Sequence, residues 1–160
     1  MRKFRKDYHC WRNFSIDLFV SEDVFMETAA NCKNDNDAVL SSLMHDSLHR
    51  TARRKITDLE KICDKKGKNK IAILNAHGGT VGYSWCLFDG HKSIPVQEWV
   101  KKHDSSRYAA ILLDVCNPNG DSLEAKNTHV FYPDNLSNLR GYANGAEVKI
   151  MIAEPNNKPS

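Results

Sequence analysis

The sequence predicts an α/β protein of three layers, in which a mostly parallel sheet is flanked by helices. Two apolar runs of strand length, "KIAILNA" from residue 70 and "YAAILLDVC" from residue 108, contain almost no polar residues. Unbroken runs of this kind are typical of strands buried on both faces, as in a parallel sheet covered by helices. Segments with helical character lie before and between the two runs, which is the alternation of strand and helix that characterises α/β folds.

The first half of the chain predicts one strand and a long helix. In "NFSIDLFV", residues 13–20, every second residue is apolar, as in a half-buried strand. Either residues 22–36 are irregular, or the sheet is a smaller one. A set of apolar residues then recurs every three or four positions, namely Leu40, Met44, Leu48, Ala52, Ile56 and Leu59. This period predicts an amphipathic helix of about 25 residues, or two shorter helices, ending near a capping glycine at Gly67.

The second half predicts a hairpin, a helix and further strands. "YSWCLFDGHKSI" contains the dipeptide Asp89-Gly90, a strong signal for a hairpin turn. "PVQEWVKKH" begins with proline, which the first turn of a helix tolerates. "THVFYP" and "AEVKIMIAE" are strand candidates. We expect one domain over residues 1–160, with a basic N-terminal segment at 1–12 and a C-terminal tail at 155–160.

Composition places the chain among soluble globular proteins of a reducing compartment. The hydrophobic fraction of 41% and the charged fraction of 27% are ordinary for such proteins, and the net charge of +3 is mild. The five cysteines are odd in number and form no CxxC pair, which argues against a disulfide framework and a structural zinc site. No apolar run is long enough to span a bilayer. We therefore expect a cytoplasmic protein with no metal, no other cofactor and no membrane partner.

Side chains that could take part in catalysis follow the two apolar strands. His77 comes directly after the first run, and Cys116 ends the second. In open α/β sheets, functional groups gather beyond the carboxyl ends of parallel strands, so neighbouring strands would bring these two side chains into one crevice. A histidine can take the proton of a thiol and later return it to a leaving group. The backbone N–H of Gly78 can stabilise an oxyanion at the same place.

A strand ending in His-Gly, a hairpin and helix, and a strand ending in Asp-x-Cys together resemble the caspase-like cysteine peptidases. These include metacaspases, clostripain-type and CHAT-type proteases. The resemblance covers residues 70–132 and implies a dyad of His77 and Cys116, with Gly78 in the oxyanion hole. It also implies that Asp114, two residues before the cysteine, selects a basic residue before the scissile bond. Asn117 and Pro118 stand where family members often carry a small residue.

Other readings of the same residues remain open. Cys116 could be inert packing, because cysteine is among the most buried residue types. The chain could be a non-catalytic α/β binding or regulatory module that uses its basic N-terminal surface, or an enzyme of another thiol chemistry. His45 and His49 in "MHDSLH" lie one helical turn apart, but no third ligand is evident, and an exposed helix face is the simpler interpretation. Nucleic acid is not an expected partner. The expected partner is a peptide or protein substrate.

Overall fold

The computed structural model describes residues 1–9, 12–49, 56–134 and 149–156. The strands in these ranges are β1 Arg2–Tyr8, β2 Phe14–Val20, β3 Lys70–Asn75, β4 His77–Val81, β5 Ser84–Asp89, β6 Lys92–Pro95, β7 Ala110–Asp114, β8 His129–Asp134 and β9 Lys149–Ala153. The helices are α1 Glu22–Asn31, α2 Asn36–Ser47, α3 Ile56–Lys66 and α4 Val96–His103. The α/β class predicted from the sequence is confirmed.

The main sheet has six strands in the order β1-β2-β3-β7-β8-β9. Its four central strands, β2, β3, β7 and β8, are parallel to one another, whereas β1 and β9 pair antiparallel at the two edges. The sheet is therefore mostly parallel in its centre, where the two apolar runs form β3 and β7. This central position explains why the sequences of these two strands show no polar face.

Helices cover both faces of the sheet and enclose two hydrophobic cores. One core lies between the sheet and α1, α2 and α3, with Phe14, Ile16, Ile73, Leu112 and Phe131 among its buried members. The other lies between the sheet and α4, with Leu74, Trp99, Ile111, Leu113 and Val130. Alternate residues of β3 and β7 belong to opposite cores, as the pleat of a strand requires. The helices thus form outer layers on each side, and the carboxyl ends of the parallel strands remain at one edge.

Two segments before β3 differ from their sequence predictions. Residues 22–31, which the sequence leaves irregular unless the sheet is smaller, form α1: the Ser21 hydroxyl accepts the N–H of Val24 as an N-cap, and Phe25 is buried on the inner face. The basic N-terminal segment contributes β1, so two strands precede β3 where the sequence indicates one. Charged residues alternate with Phe4 and Tyr8 in β1, and this hides the apolar period of the strand.

Over the range of the predicted long helix the structure describes α2 and α3, and residues 50–55 between them lie outside the described part of the chain. Gly67 ends α3 with φ +63°, and the N–H of Lys68 returns to the carbonyl of Cys63 at 3.1 Å, as in a glycine C-cap. At the C-terminus, Asn156 N–H donates to the carbonyl of Ala125 at 2.8 Å, while residues 157–160 of the predicted tail are not described.

The predicted hairpin is confirmed and belongs to a small second sheet. β5 and β6 pair antiparallel with Asp89 opposite Lys92, so the two turn residues are Gly90 and His91, one position later than predicted, and Gly90 has φ +63°. β4 adds a third strand to give the order β4-β5-β6. Gly78 and Gly79 therefore lie within β4, paired with Leu87 and Cys86 of β5, and do not form a tight turn.

Candidate active site

The strands that carry the predicted dyad are direct neighbours. β3 and β7 pair in parallel with Asn75 opposite Asp114, and the N–H of Ala76 donates to the Asp114 carbonyl at 3.3 Å. His77 lies two residues beyond the paired end of β3, and Cys116 lies two residues beyond the paired end of β7. Both residues therefore leave the sheet at the same edge, at the carboxyl ends of adjacent parallel strands.

Gly78 packs directly against the backbone of Cys116. A Cβ placed on Gly78 would lie 2.5 Å from Cγ1 of Val115 and 3.0 Å from the Cys116 nitrogen, and closer still to the Cys116 carbonyl oxygen. The indole of Trp85, on β5, donates its Nε1–H to the same carbonyl at 2.6 Å. The small sheet thus packs against the chain at the cysteine, through Gly78 of β4 and Trp85 of β5.

The imidazole of His77 is held by a carboxylate that the sequence does not indicate. Nε2 of His77 lies 2.9 and 3.1 Å from the two carboxylate oxygens of Glu27 on α1. Both side chains are part-exposed, with 38% of the His77 side chain and 52% of the Glu27 side chain accessible. A carboxylate at Nε2 favours the proton on that nitrogen, so in the neutral ring Nδ1 is the atom that can accept a proton.

Asp114 belongs to a buried polar network on the side of the sheet that α1, α2 and α3 cover. Its Oδ2 accepts the Ser47 hydroxyl at 2.8 Å and the Asn75 side-chain amide at 3.1 Å, and that amide is also 2.9 Å from the Ser47 hydroxyl oxygen. Asp114 is 5% exposed, and the two donors are 0% and 1% exposed. Ser47 comes from the last turn of α2, and Asn75 from the end of β3, so three elements converge on this one carboxylate.

The loop that follows the cysteine is anchored through its asparagine. Asn117 is fully buried; its side-chain amide donates to the carbonyls of Asp121 and Pro133, each at 2.9 Å, and its Oδ1 accepts the Asp121 N–H at 3.0 Å. Asn119 reaches the Thr80 hydroxyl on β4 at 3.1 Å. Asn117 and Asn119 therefore connect the loop after Cys116 to both β8 and β4.

The described cysteines differ sharply in accessibility. Cys116 and Cys32 are partly exposed, whereas Cys63 and Cys86 are buried, and all four are free thiols. Burial raises the pKa of the Cys63 thiol above its ordinary value, which makes Cys63 a poor nucleophile. Cys10 lies outside the described residues. Cys116 is thus one of two described cysteines that are partly exposed, and its backbone packs against Gly78.

His45 and His49, the other candidate constellation, contact Tyr8 on β1. The Tyr8 hydroxyl lies 3.4 Å from Nδ1 of His45 and 3.3 Å from Nε2 of His49, and the two imidazole ring centres are 4.0 Å apart. Within the described ranges, no three His, Cys, Asp or Glu side chains are grouped closely enough to hold a metal ion. The two histidines therefore act in the structure as hydrogen-bonding partners at the edge strand.

Two clefts are found among the described residues. One is bordered by Tyr83, Trp85, Gln97 and Leu123, and the other by residues of α4 and the segment 124–127. Neither of these clefts is lined by His77 or Cys116.

Comparison of the chain with models of protein families, with characterised proteins and with solved structures finds no match in any of the three. Within the described part of the chain, none of the helices combines the length and the apolar character needed to cross a membrane.

Proposed function

We propose that this protein is a cysteine peptidase of the caspase-like type, which hydrolyses the peptide bond after a basic residue. The observation that carries the proposal is the packing of Gly78 against the backbone of Cys116, just beyond the ends of two neighbouring parallel strands. The order of elements supports it as well: β3, a small antiparallel sheet whose first strand begins with His77 and Gly78, the helix α4, and β7, which ends at Asp114 two residues before Cys116.

In the proposed reaction, Nδ1 of His77 takes the proton of the Cys116 thiol. The sulfur attacks the carbonyl carbon of the substrate, a C–S bond forms, and the electron pair of the C=O bond moves to the oxygen. The N–H of Gly78 donates to this oxyanion. When the tetrahedral intermediate collapses, the C–N bond breaks and the imidazolium returns its proton to the amine. A water molecule, deprotonated by His77, then hydrolyses the thioester and regenerates the thiol.

Glu27 acts in this proposal as a positioning residue. Its carboxylate accepts from Nε2 of His77, which directs Nδ1 toward the thiol and stabilises the imidazolium that forms during the reaction. Carboxylates that orient a histidine in this way contribute large factors in other hydrolases, because the wrong tautomer cannot accept the proton. The Glu27–His77 pair connects α1 to the chain just after β3, so α1 supplies the residue that orients the proposed general base.

Asp114 is the proposed recognition group for a lysine or arginine side chain of the substrate. It precedes the nucleophile by two residues, and Ser47 and Asn75 hold it through Oδ2. A carboxylate that is fixed in this way keeps one orientation, which suits a planar guanidinium or an ammonium group. Cytoplasmic localisation fits the same proposal, because the nucleophile must remain a reduced thiol.

The test is hydrolysis of fluorogenic peptides that carry arginine, lysine or alanine before the reporter group. We expect wild type to cleave the first two and Cys116→Ala to be inactive, with Cys32→Ala, which removes the other accessible thiol, close to wild type. Glu27→Gln should lower kcat and leave KM nearly unchanged, and Asp114→Asn should remove the preference for basic residues. Equal rates for wild type and Cys116→Ala would refute the proposal.

The second candidate is a non-catalytic α/β binding or regulatory module that uses its basic N-terminal surface. It is favoured by one observation, namely that β1 is an edge strand whose Lys3 and Arg5 are exposed to solvent. Iodoacetamide distinguishes the candidates. If His77 activates the thiol, Cys116 should react much faster than Cys32, and His77→Ala should abolish the difference. In a binding module, the two accessible thiols should react at similar rates.

A further inference from the structure

A fully buried carboxylate in the middle of β2 is surrounded by four cationic side chains. Asp17 is 0% exposed. Nitrogen atoms of Lys3, Arg5, Lys70 and Arg107 lie 3.6, 3.3, 3.6 and 3.6 Å from its oxygens. We refer to these five residues as the Asp17 cluster. Four cations against one carboxylate give the cluster a net charge of +3.

Asp17 does not require this number of cations. The Tyr108 hydroxyl already donates to Oδ2 at 2.7 Å, and Nε of Arg5 donates to Oδ1 at 3.3 Å. The other three cations, at 3.6 Å, are beyond a good hydrogen bond. Burial lowers the pKa of Lys70, Asp17 opposes this shift, and the charges of Arg107 and Arg5 lower the pKa further. The cations therefore repel one another, and the single charge of Asp17 does not neutralise them all.

The excess charge faces solvent. The exposed fractions of the Lys3, Arg5 and Arg107 side chains are 44%, 59% and 51%. The end of α4 adjoins them, because the Phe19 ring contacts both the Lys3 ammonium, 5.4 Å from its centre, and the His103 ring, at 4.9 Å. Basic residues fill the last turn of α4, which extends the positive surface beyond the cluster.

The Asp17 cluster lies on the face of the sheet that α4 covers, because Asp17 alternates along β2 with Ile16 and Leu18 of the other core, whereas Glu27, the partner of His77, lies on α1. Its cations are spread along the strands, and Lys3 pairs with Phe19 near the carboxyl end of β2. Lys70 begins β3 and Arg107 precedes β7, whereas His77 and Cys116 follow the carboxyl ends of these strands. The six residues of β3 span about 16 Å at 3.3 Å per residue. A ligand on the cluster would therefore occupy a site separate from the proposed peptidase site.

We propose that the Asp17 cluster binds the phosphate groups of an oligophosphate anion, supplied either by a free oligophosphate or by a nucleic-acid backbone. Guanidinium groups match phosphate oxygens in pairs, and the guanidinium groups of Arg5 and Arg107 remain more than half exposed beside Asp17. Lys3 and Arg5 are two residues apart on β1, about 7 Å, which favours a ligand with more than one anionic group.

The aromatic rings near the cluster are buried, since Phe19 is 8% exposed and Tyr108 is 3% exposed. Stacking of bases on these rings is therefore excluded, and recognition would depend on phosphate alone. From the sequence, nucleic acid is not an expected partner, because basic runs such as the N-terminal segment are more often solvated surfaces and no other feature indicates a nucleic-acid reader. The fold brings Lys70 and Arg107 beside the basic residues of β1.

The experiment measures fluorescence anisotropy of a labelled twelve-residue single-stranded oligothymidine, with tripolyphosphate and inorganic phosphate as competitors at equal ionic strength. The test variant is Lys3→Gln/Arg107→Gln. The matched control is Lys61→Gln/Lys92→Gln, which removes the same charge from exposed positions on α3 and β6. We expect binding to weaken roughly tenfold or more in the test variant, with the slope of log affinity against log salt reduced by about 1.4, and to change less than about twofold in the control.

Competition by tripolyphosphate but not by inorganic phosphate identifies a free oligophosphate as a sufficient ligand, and binding of the oligothymidine without such competition identifies the backbone. Equal losses in the test and control variants, or no binding of any probe by folded wild type, would overturn the proposal. The single variant Arg107→Gln, checked by circular dichroism, serves if the double variant does not fold. Cys116→Ala should bind like wild type, so failure of the peptidase proposal leaves this result unaffected.

Discussion

Gly78→Ala is the substitution that tests most directly how His77 and Cys116 are brought together. The added methyl would lie 2.5 Å from Cγ1 of Val115 and 3.0 Å from the Cys116 nitrogen, against an ordinary contact distance of at least 3.4 Å. The Val115 side chain would thus have to retreat by about 0.9 Å, and the Cys116 backbone with it. Overpacking of this kind costs about 1–3 kcal/mol in the free energy of unfolding.

The same displacement should impair the proposed chemistry, since a shift of about 1 Å in a reacting group can lower the rate roughly 100-fold. Urea unfolding followed by circular dichroism measures the first effect, and alkylation of Cys116 measures the second. Gly79→Ala is the matched control, because its methyl would meet only the edge of the Phe88 ring, at 3.0 and 3.3 Å. If Gly78→Ala unfolds within about 0.5 kcal/mol of wild type and Cys116 reacts at the wild-type rate, the close packing inferred at this position is wrong.

Three further predictions concern the buried polar groups. Tyr108→Phe removes the 2.7 Å hydrogen bond to Asp17 and should lower the free energy of unfolding at pH 7 by about 1.5–3 kcal/mol in urea titrations; an unchanged midpoint would contradict this. Burial and the bond to Asp17 raise the pKa of Tyr108, so wild type should lose stability above about pH 10, where the unfolded phenol ionises, and Tyr108→Phe should lack this loss. Asn117→Ala removes one buried and two part-buried hydrogen bonds and should cost about 2–3 kcal/mol in the same titration, whereas Asn119→Ala, at an exposed position, should cost less than about 0.5 kcal/mol; similar effects would exclude an anchoring role for Asn117.

Elements with a strong local signal could be predicted from the sequence. β3 and β7 were predictable because strands buried on both faces must be apolar throughout, and the hairpin turn at Gly90 because glycine adopts φ +63° without strain. β1 and α1 could not be predicted with the same ease. In β1 the long side chains of Lys3 and Arg5 occupy one face of an edge strand, and α1 owes its stability to burial of Phe25 against the sheet.

Some residues of the candidate site could be predicted from the sequence, and one could not. His77, Gly78, Asp114 and Cys116 stand out in the sequence because they follow apolar runs at the positions where α/β sheets carry functional groups. Glu27 gives no such signal, since it belongs to a short helix 50 residues before the histidine that it contacts.

The sequence by itself therefore determined which segments are buried strands and which polar residues stand at their ends, because burial and turn chemistry are local requirements. The tertiary structure alone decided that β3 lies beside β7, that Gly78 touches Cys116, and that Asp17 collects cations from three separate segments. Contacts of this kind depend on the packing of elements far apart in the chain, and no local pattern of residues records them.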